Sequence, residues 1–97
     1  MAEQKTLTRH PLGKRGRNIS RQKYDSMKRA ILSALRGKQL THAELFARVK
    51  TSLKGRFVGN ISWYAETVKL DLEARKLIRR IASRPQKYRL RQNTRPA

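Results

Sequence analysis

The sequence predicts a mainly α domain of three helices closed by a small β-hairpin. Three observations carry that prediction. Apolar residues recur at helical spacing in three segments between Ser20 and Arg75, as the buried stripes of amphipathic helices do. Those segments are punctuated by residues that suit helix ends. The last apolar segments alternate instead with period two, around a short turn containing proline, which is the signal of paired strands. Helix, helix, helix, hairpin is the order of a winged helix-turn-helix, three helices plus wing.

The first helix is expected to start after Ser20, a good N-cap, with Ile19 and Tyr24 spaced as a hydrophobic staple. Met27, Ile31 and Leu35 form its stripe, with Tyr24, Lys28 and Leu32 alongside. Gly37 suits its C-terminal end, and Arg36 suits the negative end of the dipole. Thr41 and Glu44 have the spacing of a capping box and open the second helix. Its stripe is Leu45, Phe46, Val49 and Leu53, with Lys54-Gly55 as its end. The third helix starts near Ser62 and runs to Arg75. Ile61, Ala65, Val68 and Leu72 share one side; Trp63, Thr67, Leu70 and Ala74 share the opposite side. A helix apolar on both sides packs on both sides or offers one to a partner. Leu77–Ala82 and Lys87–Leu90 are the hairpin strands, and an extended piece around Gln39-Leu40 is placed to join them. Residues 1–18 are basic, with glycine and proline and almost nothing apolar, and are expected to form a flexible arm. The folded domain is then 19–90, and 91–97 is a short basic tail.

Two resemblances follow from these segments. Leu72-Glu-Ala-Arg-Lys-Leu-Ile78 resembles the stretch that ends the recognition helix and enters the wing in bacterial winged-helix regulators. Those usually carry glycine where this chain has Lys76, so the lysine must take a left-handed backbone, at a cost of about 1 kcal/mol, or avoid it. More broadly, three segments stand together. They are His10-Pro-Leu-Gly13 with Lys23-Tyr-Asp-Ser-Met-Lys-Arg-Ala-Ile-Leu32, Trp63-Tyr-Ala-Glu-Thr-Val-Lys-Leu-Asp-Leu-Glu-Ala-Arg75, and Pro85-Gln-Lys-Tyr-Arg89. In them the chain is similar to a small bacterial winged-helix family of unknown function, over residues 10–90. The resemblance implies the fold and carries no activity with it.

Charge points to a partner. The 97 residues hold 25 Lys and Arg against six Asp and Glu, a formal net charge of +19. A domain so charged repels itself and attracts polyanions. Nucleic acid is the expected partner, duplex DNA first and structured RNA as the alternative. A membrane is not expected: no apolar run approaches the roughly 20 residues of a spanning helix. The first residues lack an apolar signal region, so a cytoplasmic protein is expected. There is no cysteine, which removes thiolate catalysis and cysteine-ligated zinc. His10 and His42 stand alone. No catalytic constellation can be assembled, and neither an enzyme, a cofactor nor a metal is expected.

The candidate contacts are cationic. Arg79, Arg80, Arg84, Lys87, Arg89 and Arg91 crowd the hairpin with no acid among them, suiting phosphates or the minor groove. Arg15 and Arg17 in the arm suit the same partner. In the third helix Glu66, Thr67 and Lys69 are the residues offered to bases, with Trp63 and Tyr64 at its start. Glu66, Asp71 and Glu73, half of all the acids, argue for packing over groove reading, since phosphates repel carboxylates. Trp63 and Leu70 are the candidate interface of a homodimer or protein-interaction module. Trp63 and Tyr64 also suit stacking on unpaired bases, although neighbours on a helix cannot both face one ligand. The Gly55–Gly59 connection lacks the ending of a phosphate loop and is longer than a tight helix-turn-helix turn.

Overall fold

The caps act as their positions require. In a computed structural model, which describes residues 4–91, the Ser20 hydroxyl accepts from the Lys23 N–H and starts α1, Arg21–Leu35. Thr41 and Glu44 form a reciprocal capping box at α2, His42–Leu53. The Asn60 side chain accepts from the Trp63 N–H and starts α3, Ile61–Ala74. Each helix buries its stripe in one core. Met27, Ile31 and Leu35 come from α1, Leu45, Val49 and Leu53 from α2, and Ala65, Val68 and Leu72 from α3.

Five short strands complete the chain: β1 Lys5–Leu7, β2 Asn18–Ser20, β3 Leu40–Thr41, β4 Ile78–Ile81 and β5 Lys87–Leu90. The last three form an antiparallel sheet in the order β3-β5-β4. Leu40, Ile78 and Tyr88 are its buried residues, so one face closes the core and the other meets solvent, as strand alternation dictates. The hairpin is where the sequence places it, and Leu40 supplies the third strand.

The arm expected over residues 1–18 needs correcting. Residues 5–7 and 18–20 pair as an antiparallel ribbon, Lys5 opposite Ser20 and Leu7 opposite Asn18, which packs on α1. Beyond it, Thr8 is buried. The Thr8 N–H donates to the Arg17 carbonyl and its hydroxyl accepts from the Arg17 N–H, each at 2.8 Å. A Cβ on Gly16 would lie 1.7 Å from the Thr8 carbonyl oxygen, so only glycine fits this crossing. The first strand escapes a hydrophobicity reading because its phase is inverted. Thr6 and Thr8 turn inward while Leu7 is 61% exposed. The C-terminal tail past Arg91 lies outside the described residues.

Lys76 takes the left-handed option, at φ 65°. Its N–H donates to the Glu73 carbonyl and the Leu77 N–H to the Leu72 carbonyl, which is the Schellman ending usually built on glycine. Lys76→Gly is therefore expected to stabilise the protein by about 1 kcal/mol, raising Tm by roughly 4–8 °C. An unchanged or lower Tm in a thermal melt would mean that Lys76 has contacts offsetting its backbone strain.

Candidate nucleic-acid interface

The register of β4 and β5 sorts the hairpin cations by face. Arg79 pairs with Arg89 and Ile81 with Lys87, all pointing away from the side that buries Ile78 and Tyr88. Two arginines directly opposite each other on one sheet face repel. Among the described residues no carboxylate lies within 4.0 Å of Arg79, Arg84, Lys87, Arg89 or Arg91. Arg84 is exposed in the turn. Arg89 and Arg91 also rim a surface depression with Lys38 from the end of α1, which carries the cationic face past the hairpin.

Arg80 is on the other face. It pairs with Tyr88, its guanidinium lies 5.6 Å from that ring's centre, and it bonds to Glu73 of α3. The Glu73 bond holds the Arg80 pKa above its usual value. Arg80 is thus exposed but engaged by Glu73, on the face opposite Arg79 and Arg89.

Lys69 needs the larger correction. It is 1% exposed. Its ammonium lies 3.4 Å from Glu73 and 3.5 Å from Glu66 on its own helix. It donates to the Tyr88 hydroxyl at 3.2 Å and sits 4.3 Å from that ring's centre. No ligand in the groove can reach it. The spacing Glu66, Lys69, Glu73 is an i+3, i+4 pairing, and Lys69 falls beside Ala65 and Leu72 on the buried stripe. Those two signals together could have placed it.

Asp71 is the centre of a second buried group. It is 0% exposed. It accepts from the Tyr24 hydroxyl of α1, from Arg75 one turn on at 2.9 and 3.0 Å, and from the Arg9 backbone N–H at 2.8 Å. The Asp71 bond holds the Arg75 pKa up. Burial, then the Asp71 hydrogen bond and charge, push the Tyr24 hydroxyl up to about 12. A tyrosine raised above its unfolded value of about 10 stabilises the fold fully below pH 10. That contribution is lost as pH climbs through 12. Between pH 9 and 12 the wild type should lose about 2 kcal/mol more stability than Tyr24→Phe, measured by urea unfolding. Parallel pH curves for the two proteins would remove Tyr24 from the alkaline transition.

Asp71 and Glu73 are therefore turned to internal work. Glu66 has Lys69 and, at 3.9 Å, His42; Asp71 and Glu73 have the partners above. The outer side of α3 carries Trp63, Thr67 and Leu70, with half-exposed Glu66 beside them. These do not face open solvent alone. The loop over residues 8–17 lies beside them, and Arg9, Lys14, Arg15 and Arg17 line the opposite wall of a cleft of about 320 Å³. Arg15 and Arg17 are thus brought together with Thr67, Trp63 and Leu70, while the hairpin cations occupy the sheet.

Residues 5–88 match a family of unknown function, DUF6958. The chain belongs to that family. The DUF6958 match begins at β1 and stops inside β5, so it takes in the N-terminal ribbon, all three helices and most of the sheet. No curated protein and no solved structure matches the chain. The DUF6958 family has no assigned activity to set beside the site. Among the described residues of this DUF6958 member, no three His, Asp or Glu side chains gather as a metal-binding group. No helix there is long and apolar enough to cross a membrane.

Proposed function

We propose that this protein is a winged-helix nucleic-acid-binding protein without catalytic activity, in the manner of a transcriptional regulator or nucleoid protein. It holds duplex DNA mainly through phosphates, using the solvent face of the β4–β5 wing. One observation carries the reading: Arg79 faces Arg89 across the hairpin, beside Lys87, and among the described residues no carboxylate lies within 4.0 Å of any of the three. Among the described residues no acid pairs with either arginine to relieve that repulsion; a row of phosphates does. The burial of Asp71 and Glu73 supports the same reading, since it removes two of the three α3 carboxylates from the outer surface. The loop beside Trp63 and Leu70 argues against a bare apolar dimer face on α3.

The test is a titration of random duplex DNA, followed by DNA anisotropy at several salt concentrations. If about five phosphates are neutralised, log K falls against log salt with a slope near −4 to −5. Folded RNA titrated at the same salt sets the preference between the two polyanions, and tighter RNA binding would move the assignment to RNA. Absence of binding at about 50 mM salt, where such contacts are strong, would overturn the proposal.

A further inference from the structure

The cleft between the N-terminal loop and α3 has a chemistry that duplex DNA does not use. Its α3 wall carries the single tryptophan of the chain, and Trp63 is 43% exposed although it is the largest apolar side chain present. Tyr64 meets it edge to face, with ring centres 4.9 Å apart, so the two rings do not stack on each other. Leu70 lies in the same wall, and Thr67 adds a hydroxyl that can both donate and accept. The facing wall is cationic, with Arg9, Lys14, Arg15 and Arg17. Glu66 also borders the cleft, but Lys69 and His42 engage it.

The loop is held in place. The Arg9 N–H is fixed on buried Asp71, and the Thr8–Arg17 hydrogen bonds close its base over Gly16. Four cations are thereby kept close to one another and to an indole, without an unengaged carboxylate between them. An anion beside a flat apolar group answers both walls. At about 320 Å³ the space is at the small end of ligand sites, which suits a single nucleotide unit and is too small to admit a base pair.

We infer that this cleft takes one nucleotide with its base unpaired, the base against the Trp63 indole and the phosphate on Arg15 and Arg17. The inference rests on the nucleic-acid reading and adds to it a preference for a single-stranded element, separate from the wing. The shared chemistry is that of a nucleotide, either free or within a strand.

The full-length protein is titrated with oligothymidylate, with a duplex of equal length and with thymidine monophosphate, following Trp63 fluorescence and, for the oligomers, anisotropy. Oligothymidylate is expected to change the Trp63 emission, and the duplex is not. Trp63→Ala should weaken oligothymidylate binding by about tenfold or more, the loss of one base stack, and leave duplex affinity within about twofold. Trp63→Phe should recover most of the loss, and Arg15→Gln with Arg17→Gln should reproduce it without disturbing the melting curve. A saturable response to the monophosphate also supports the site and assigns it to free nucleotide; a response to the oligomer alone assigns it to a strand. An indole that ignores both ligands, or oligothymidylate affinity unchanged in Trp63→Ala, overturns the inference. Duplex binding that persists in that case leaves the wing reading standing, whereas loss of all binding in the wild type removes both.

Discussion

Replacing Asp71 with alanine is expected to destabilise the protein by about 3–5 kcal/mol, read from urea unfolding followed by circular dichroism. The carboxylate is fully buried and has three kinds of partner: the Tyr24 hydroxyl, the Arg75 guanidinium and the Arg9 N–H. Alanine removes the acceptor for all of them at once. Leaving buried donors unsatisfied costs more than the bonds themselves contribute, and here one donor is a charge. Because domains of this size are stable by only about 5–15 kcal/mol, the variant should sit near its unfolding midpoint under mild conditions. Asp71→Asn keeps an acceptor oxygen and loses the charge, so its cost should fall between wild type and alanine. The loop over residues 8–17 should also loosen in both variants, seen as faster amide exchange at Arg9 and Arg17. A cost below about 1 kcal/mol for the alanine variant, the level of an exposed pair, would show that the buried group does not tie the elements together.

The second large effect is on binding. Neutralising Arg79, Lys87 and Arg89 together to glutamine should weaken duplex affinity for all sequences alike. It should also flatten the salt slope by about 2–3 units, since each phosphate contact contributes about 0.9. Stability should hold or rise, because the change removes the repulsion between facing arginines. Arg80→Gln is the informative contrast. Its side chain is spent on Glu73 and Tyr88, so it should lower stability and leave the slope nearly unchanged. If the triple variant binds with the wild-type slope, the wing is not the contact face. If Arg80→Gln flattens the slope as strongly as the triple variant, the face assignment within the hairpin is wrong.

The division between Arg79 and Arg80 also shows what the sequence could reveal. Caps and stripes were readable because they are local. Ser20, Thr41 with Glu44, Gly37 and the alternation of β4 and β5 each act within a few residues, and each is found where the spacing puts it. The count of arginines in the hairpin was readable too; the face of each was not, since it depends on the register and on Glu73 reaching across from α3. Lys69 misled for a similar reason, and the partners of Asp71 were hidden with it. A charged side chain reads as surface unless its partners are known, and those partners come from α1, β5 and the N-terminal loop. The first strand of the ribbon was hidden because Thr6 and Thr8, not Leu7, turn inward there. The cleft beside α3 follows from that ribbon, so its two walls could not be brought together from sequence alone.

The way carboxylates are spent in the helices has a consequence for how the chain tolerates change. Glu44 closes a cap, Asp71 joins three segments, and Glu66 and Glu73 hold a buried lysine. Glu44 and Asp71 each have a task that no neighbour duplicates, while Glu66 and Glu73 share theirs. The cations outside are many, and several share one face, so losing any one leaves others to do similar work. Redundancy is thus distributed unevenly by sign. Drift among the lysines and arginines tunes affinity in small steps, while the loss of an acid such as Asp71 is a single-point failure of the fold.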